Sequence, residues 1–140
     1  MRKIYIAGPL YSESEKSFNL RIDEILRELG NETYLPQRDG GCVSEMPEMI
    51  GGVPKDDYVF RKDLQAMADC DVFLFLMDGR VPDEGACVAL GNAWANGKTC
   101  VGYKTDARAL TGGEDNLMIR KTLRRILRNE TELKAFFAEK

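Results

Sequence analysis

The run Asp71-Val72-Phe73-Leu74-Phe75-Leu76-Met77-Asp78 constrains this chain more than any other stretch, because it is apolar from end to end and bounded by acids. A strand with one wet face alternates apolar and polar residues. An unbroken run of this length reads instead as a strand covered on both faces, as in a parallel sheet. Gly79 to Pro82 follow as a turn, and Asp83 stands where a helix beginning near Glu84 needs a cap. Gly97 stops that helix, and Thr99-Cys100-Val101-Gly102-Tyr103 begins the next strand. Cys70 to Lys104 is therefore one strand–helix–strand unit. Open parallel sheets bind ligands at the carboxyl ends of their strands, which is where Asp78, Asp83 and Glu84 fall.

The same alternation extends along the chain. Ile4-Tyr5-Ile6-Ala7 reads as a first strand ending at Gly8-Pro9, and Ser12 or Ser14 caps a helix running to about Leu29. Phe18, Ile22, Ile25, Leu26 and Leu29 form its apolar stripe, and Gly30 closes it. Thr33-Tyr34-Leu35 is a short second strand. A loop of roughly twenty residues follows, rich in glycine and proline, and uncovered loops of that length are usually binding loops or lids. A helix is expected over about Asp57 to Ala68, ahead of the central unit. After it come a loop over Thr105 to Asp115, a short helix over Asn116 to Thr122, a strand at Arg124-Arg125-Ile126-Leu127, and a helix capped by Asn129 and running through Phe137. The expected architecture is α/β: a doubly wound, flavodoxin- or Rossmann-like three-layer fold with about five parallel strands, in a single domain over residues 1–140.

Composition removes several classes of function. Twenty basic against 23 acidic residues leave a net charge of -3, so there is no electrostatic case for nucleic acid. No apolar run reaches the ~18 residues of a membrane span, and the chain opens directly into a strand without a signal-peptide pattern. The cysteines Cys42, Cys70, Cys87 and Cys100 show no C-x-x-C spacing, and most lie in apolar segments, as expected of reduced thiols in a cytoplasmic protein. Histidine is absent. Catalysis through Ser–His–Asp or Cys–His groups, and histidine metal sites, are excluded with it. Carboxylates, hydroxyls, amides or amines must carry any chemistry, and no cofactor or metal is expected.

Four polar clusters fall at or after the carboxyl ends of the expected strands: Gly8-Pro9-Leu10-Tyr11, Pro36-Gln37, Asp78 to Gly85, and Asn116-Leu117-Met118, with Asp63 added from the second helix. Each taken singly has a plain structural reading. Gly-Pro after a strand is turn chemistry, Asp83 and Asn116 are helix caps, and Asp63 is a solvated helix residue.

In combination the segments Ile4 to Tyr11, Arg61-Lys62-Asp63-Leu64, Asp69-Cys70-Asp71-Val72, Asp83-Glu84-Gly85-Ala86-Cys87-Val88-Ala89-Leu90-Gly91 and Asn116-Leu117-Met118 resemble the nucleoside 2-deoxyribosyltransferase family, in the family's order and over nearly the whole chain. The resemblance implies a ping-pong exchange in which a glutamate attacks the anomeric carbon of a 2'-deoxynucleoside and an incoming free nucleobase then takes the sugar. A carboxylate suits that step, because an oxocarbenium-like centre needs a nearby anion and a nucleophile that can leave again. By the same resemblance Asp83 delivers a proton to the departing base, Asp63 holds the nucleophile side and the sugar hydroxyls, and Tyr5 hydrogen-bonds the nucleophile. Tyr11 and Gln37 pack against and read the base, with Gly8, Pro9 and Leu10 beside them. Asn116 and Met118 belong to a segment contributed by a neighbouring subunit, which implies a homo-oligomer with shared sites.

One position departs from the pattern. The family's nucleophile lies one residue before Leu-Gly in this helix, and Ala89 occupies that place. Gly85 lies one turn earlier on the same face and leaves room above residue 89 for a sugar. Glu84 is a poor substitute, since five residues' separation puts it on another face. Ala89 reads either as a substitution that inactivates an ordinary transferase while retaining nucleoside binding, favoured because every other matched position is intact, or as the residue of a natural member with altered or lost activity.

Two other functions compete. A hydrolase of the same fold would cleave 2'-deoxynucleoside 5'-monophosphates and needs a phosphate pocket after the first strand, where Ser12 and Ser14 lie but Glu13 and Glu15 repel a dianion. A non-catalytic nucleoside- or nucleotide-binding module would take Ala89 at face value. The basic run Arg120, Lys121, Arg124, Arg125 and Arg128 reads as a solvated or subunit-facing surface, Trp94 as core or interface packing, and Met46 and Met49 as pocket lining or gap filling.

Overall fold

A computed structural model describes residues 1–138, so the last two positions of the domain expected over 1–140 lie outside the described residues. Five parallel strands form the central sheet: β1 (Lys3–Ala7), β2 (Glu32–Tyr34), β5 (Val72–Leu76), β6 (Thr99–Tyr103) and β7 (Arg125–Leu127), in the spatial order β2-β1-β5-β6-β7. Helices α1 (Glu13–Glu28) and α5 (Glu130–Ala138) cover one face, and α2 (Lys55–Asp69) and α3 (Glu84–Ala95) cover the other. This is the doubly wound three-layer arrangement expected from the sequence.

The central strand explains its own composition. Val72, Leu74 and Leu76 enter the core under α1 and α5, while Phe73 and Phe75 enter the core under α2 and α3. All five are essentially inaccessible, so an alternating strand here would have buried polar atoms on one side. The pairing Ile4 to Val72, Tyr5 to Phe73 and Ile6 to Leu74 puts β1 side chains in the same two layers.

The caps follow the sequence. Ser12 closes a capping box with Glu15, its hydroxyl accepting from the Glu15 amide while the Glu15 carboxylate accepts from the Ser12 amide. Asp83 accepts from the Ala86 amide at 2.8 Å and starts α3. Asn116 starts α4 (Leu117–Thr122), and Asn129 accepts from the Glu132 amide to start α5.

The long segment after β2 differs from the expectation of an uncovered loop. It holds a π-helical turn (Pro36–Gly40), a 3-10 turn (Val43–Glu45) and a hairpin of β3 (Met49–Ile50) with β4 (Val53–Pro54). Gly51 and Gly52 both have positive φ, +57° and +81°, the conformation a two-residue hairpin of right-handed twist demands. Strands of two residues are too short to show a period. Helix α2 also begins at Lys55, two residues earlier than expected, because Pro54 occupies the cap position without a side-chain acceptor to mark it. Trp94, expected in core or interface packing, lies on the outer face of α3 at 56% exposure and is not part of the core.

Candidate active site

The strand order places a switch point between β1 and β5: the chain leaves β1 toward one side of the sheet and β5 toward the other. Ligands of open α/β sheets bind in the crevice at such a point. A cleft of about 670 Å³ opens there, within the usual range for small-molecule sites. Its walls come from the β1 end and following loop (Tyr5, Ala7, Gly8, Leu10, Tyr11), from Pro36, from α2 and from α3.

Helical spacing selects the last two walls. Phe60, Asp63, Leu64 and Met67 recur on α2 at the intervals of one helix face, and Gly85, Ala89 and Asn92 do so on α3 with Asp83 at its cap. Gly8 is required by a close approach, since a Cβ there would lie 2.8 Å from the Leu76 Cβ of the adjacent strand. At Gly40 a Cβ would lie 3.3 Å from an Asp63 carboxylate oxygen, so this glycine lets the turn after β2 come up against the acid.

Asp63 is a half-buried acid on the α2 wall of the cleft. The Tyr34 hydroxyl donates to its Oδ1 at 2.8 Å. Burial pushes the carboxyl above the ordinary aspartate range, against the opposing pull of that hydrogen bond and of the Lys62 charge. Beneath it the Tyr5 ring stacks on Tyr34, with centroids 5.2 Å apart, and on Phe73 at 5.5 Å. Burial, and then the Asp63 charge, raise the Tyr5 hydroxyl far above the normal tyrosine value. Burial also raises Tyr34, reinforced by its hydrogen bond to Asp63. Across the cleft the Asp83 charge is the main cause of an upward shift at Tyr11, whose ring is 75% exposed at the mouth.

The raised Asp63 carboxyl has a consequence for stability. The native state binds this proton more tightly than the unfolded chain, so the group makes stability fall as pH rises from the ordinary value, about 3.9, through the raised native one. Asp63→Asn keeps an acceptor for Tyr34 and removes the charge. The variant is expected to be the more stable protein at pH 7, with the gap closing as pH is lowered toward 4. Urea melts of both proteins across that range measure it, and a gap that does not change with pH sinks the assignment.

Of the residues singled out in the sequence, Tyr5, Gly8, Leu10, Tyr11, Asp63, Asp83, Gly85 and Ala89 all line this one cleft. Four do not. The Pro9 carbonyl turns away from it, accepting from Asn19 Nδ2 at 2.9 Å. Gln37, expected to read the base, has both ends of its amide occupied: Oε1 accepts from Asn19 at 2.8 Å and Nε2 donates to the Lys16 carbonyl at 3.0 Å. Asn116 accepts from the Met118 amide as the α4 cap, and Met118 is 75% exposed. Met46 packs over Gly41, and neither it nor Met49 lines the cleft. Tyr34, Phe60, Met67, Val88 and Asn92 were not singled out. The i, i+3, i+4, i+7 recurrence of Phe60, Asp63, Leu64 and Met67 is the signal that could have found the α2 wall.

A family model described as nucleoside 2-deoxyribosyltransferase matches residues 4–123. The chain belongs to the nucleoside 2-deoxyribosyltransferase family. The matched span contains every wall of the cleft and ends before β7 and α5. Solved structures of this fold include a conserved protein from Enterococcus faecalis V583, 23% identical with TM-score 0.80, the match covering 98% of this chain and 97% of that one. A 2-deoxyribosyltransferase from Bacillus psychrosaccharolyticus is also 23% identical, with TM-score 0.77 and coverage of 96% and 95%. A CMP N-glycosidase from Clostridium botulinum is 18% identical, with TM-score 0.64 and coverage of 96% and 97%. At these identities the likeness shows the shared fold. No curated protein sequence matches the chain.

Among the described residues no helix is long and apolar enough to cross a membrane, and no three cysteine or acidic side chains gather as a metal ion would require.

Proposed function

We propose that the cleft binds a 2'-deoxynucleoside, with the sugar between Asp63 and Asp83 and the base against Tyr11, and that the chain is a deoxyribosyltransferase whose covalent nucleophile is missing at Ala89. The observation that carries this reading is the convergence of Asp63, Asp83, Gly85 and Ala89 on one cleft at the switch point of the sheet. Asp83 is the proton donor to the departing base, and Asp63 with its Tyr34 partner holds the sugar hydroxyls. The transfer itself passes through a deoxyribosyl-glutamate formed at position 89 when a carboxylate is present there. Loss of a covalent nucleophile costs other enzymes roughly 10⁴ to 10⁶ in turnover, so binding with little exchange is expected.

A neighbouring copy supplies Asn116 and Met118 to complete the site, in a homo-oligomer. The 55% and 75% exposure of Leu117 and Met118 supports that placement. All four cysteines are unpaired, which fits a reducing, cytoplasmic setting.

The competing reading as a nucleotide N-glycosidase needs a phosphate subsite near the start of α1. The capping box uses the Ser12 and Glu15 amides there, and Glu13 adds a further negative charge, so a nucleoside is favoured over its monophosphate. Calorimetry decides among the readings. Deoxyinosine is expected to bind saturably within about 1 μM to 1 mM, the usual range of KM values, and its 5'-monophosphate more weakly. Tighter binding of the monophosphate would favour the hydrolase. Absence of binding by either ligand would sink the nucleoside reading.

A further inference from the structure

We propose that Asn19 is a positioning residue for the cleft, tying together the two loops that form its rim while touching nothing inside it. Asn19 lies on the inner face of α1 and is 3% exposed. The two hydrogens of its Nδ2 serve two loops that leave different strands. One goes to the carbonyl of Pro9, at 2.9 Å, and the other to Oε1 of Gln37, at 2.8 Å. Pro9 stands between Gly8 and Leu10, and Gln37 directly follows Pro36; Gly8, Leu10 and Pro36 all line the cleft. Gln37 then returns to the same helix through its own Nε2, which donates to the Lys16 carbonyl. Each loop therefore takes its position from α1, and one side chain sets the separation of the two.

The chemistry demands an amide at this place. A leucine of similar size would leave two partly buried acceptors without a donor, and a serine is too short and has one hydrogen. The next turn of the helix repeats the arrangement: Asp23, 5% exposed, accepts from Arg38 Nη1 at 2.6 Å and from the Thr33 hydroxyl. Asp23 thus anchors the far side of the Pro36–Gly40 turn, and Asn19 anchors the side that faces Pro9. The consequence for ligand affinity rests on the nucleoside reading above; the consequence for the loops does not.

Asn19→Asp tests this with almost no change of shape, since it replaces the donor by a carboxylate facing two acceptor oxygens. The Arg38 and Asp39 amides both donate to the Leu35 carbonyl and report the order of the second loop. Their hydrogen exchange is expected to accelerate roughly tenfold, the equivalent of one lost hydrogen bond, while amides of β5 keep their protection. Deoxyinosine affinity is expected to fall by a similar factor. The double variant Asn19→Asp with Gln37→Ala should lose less than the two single losses summed, because the Asn19–Gln37 bond is removed by either change. Asn19→Ala serves as the uncharged second variant, with the same expectation.

Unchanged exchange at Arg38 and Asp39 would overturn the proposal. So would a loss of protection spread equally over β5, which marks a general packing role, or additive effects in the double variant. If the native chain binds no deoxyinosine, the nucleoside reading falls while the exchange measurement still decides the role of Asn19.

Discussion

Ala89→Glu is expected to raise base exchange over that of the present chain by roughly 10⁴ or more in turnover. Ala89 lines the cleft with Asp63 and Asp83, and Gly85 one turn earlier carries no side chain to crowd a new carboxylate. With deoxyinosine bound, an oxygen of the introduced carboxylate forms a bond to the anomeric carbon as the glycosidic C–N bond breaks. The bonding pair leaves with hypoxanthine, which takes a proton from Asp83. Adenine then attacks the same carbon, returns the proton to Asp83 and frees the carboxylate. Incubation with deoxyinosine and adenine, followed by chromatography for deoxyadenosine and hypoxanthine, measures the exchange. Ala89→Gln has the same bulk without the charge and should stay inactive. Hypoxanthine released without deoxyadenosine would point to hydrolysis. A folded Ala89→Glu variant that binds deoxyinosine and exchanges nothing would sink the assignment of position 89.

Lys104→Ala is expected to cost about 3–5 kcal/mol of folding stability, the largest effect of any single change outside the apolar core. Lys104 directly follows β6 and is 5% exposed, and its ammonium is held by the Asp115 carboxylate and the Arg108 carbonyl. Removing it leaves Asp115, also largely buried, without its counter-charge. The segment it spans is further latched by Asp78, which accepts from the Thr105 amide at 2.7 Å and from the Asp106 amide at 2.9 Å. Chemical denaturation measures the cost as a lower midpoint at unchanged slope. Lys104→Met with Asp115→Leu should recover much of the loss, because no charge is then stranded. A single-variant cost under about 1 kcal/mol would show the pair to be solvated and of little weight.

Much of the site was legible in the chain because its chemistry lies at element boundaries, where residue types are locally dictated. Asp83 is both a helix cap and a cleft acid, and a cap is recognisable from its neighbours alone. Ala89 and Gly85 share a face by helical spacing. The place of Gln37 has a reason equally physical. Its position after β2 put it near the rim, but the destination of its amide is set by Asn19 and Lys16, eighteen and more residues away in sequence. Tyr34 escaped notice because nothing local says that its hydroxyl meets Asp63, a partner twenty-nine positions further on.

Helix α1 draws the same line most clearly. Its apolar stripe of Phe18, Ile22, Ile25, Leu26 and Leu29 was evident from period alone, whereas Asn19 and Asp23 look like ordinary polar residues and are buried with that stripe.

The amino-acid order by itself determined the layers: which runs are strands buried on both faces, where the side-chain-capped helices begin, and which acids stand at the carboxyl ends of the sheet. These follow from solvation and local hydrogen bonding, which act between near neighbours. Only the tertiary structure decided which of those polar groups meet in one cleft and which are spent holding its rim. That choice depends on the packing of α1 against two loops and on long-range hydrogen bonds, for which no pattern in neighbouring residues exists.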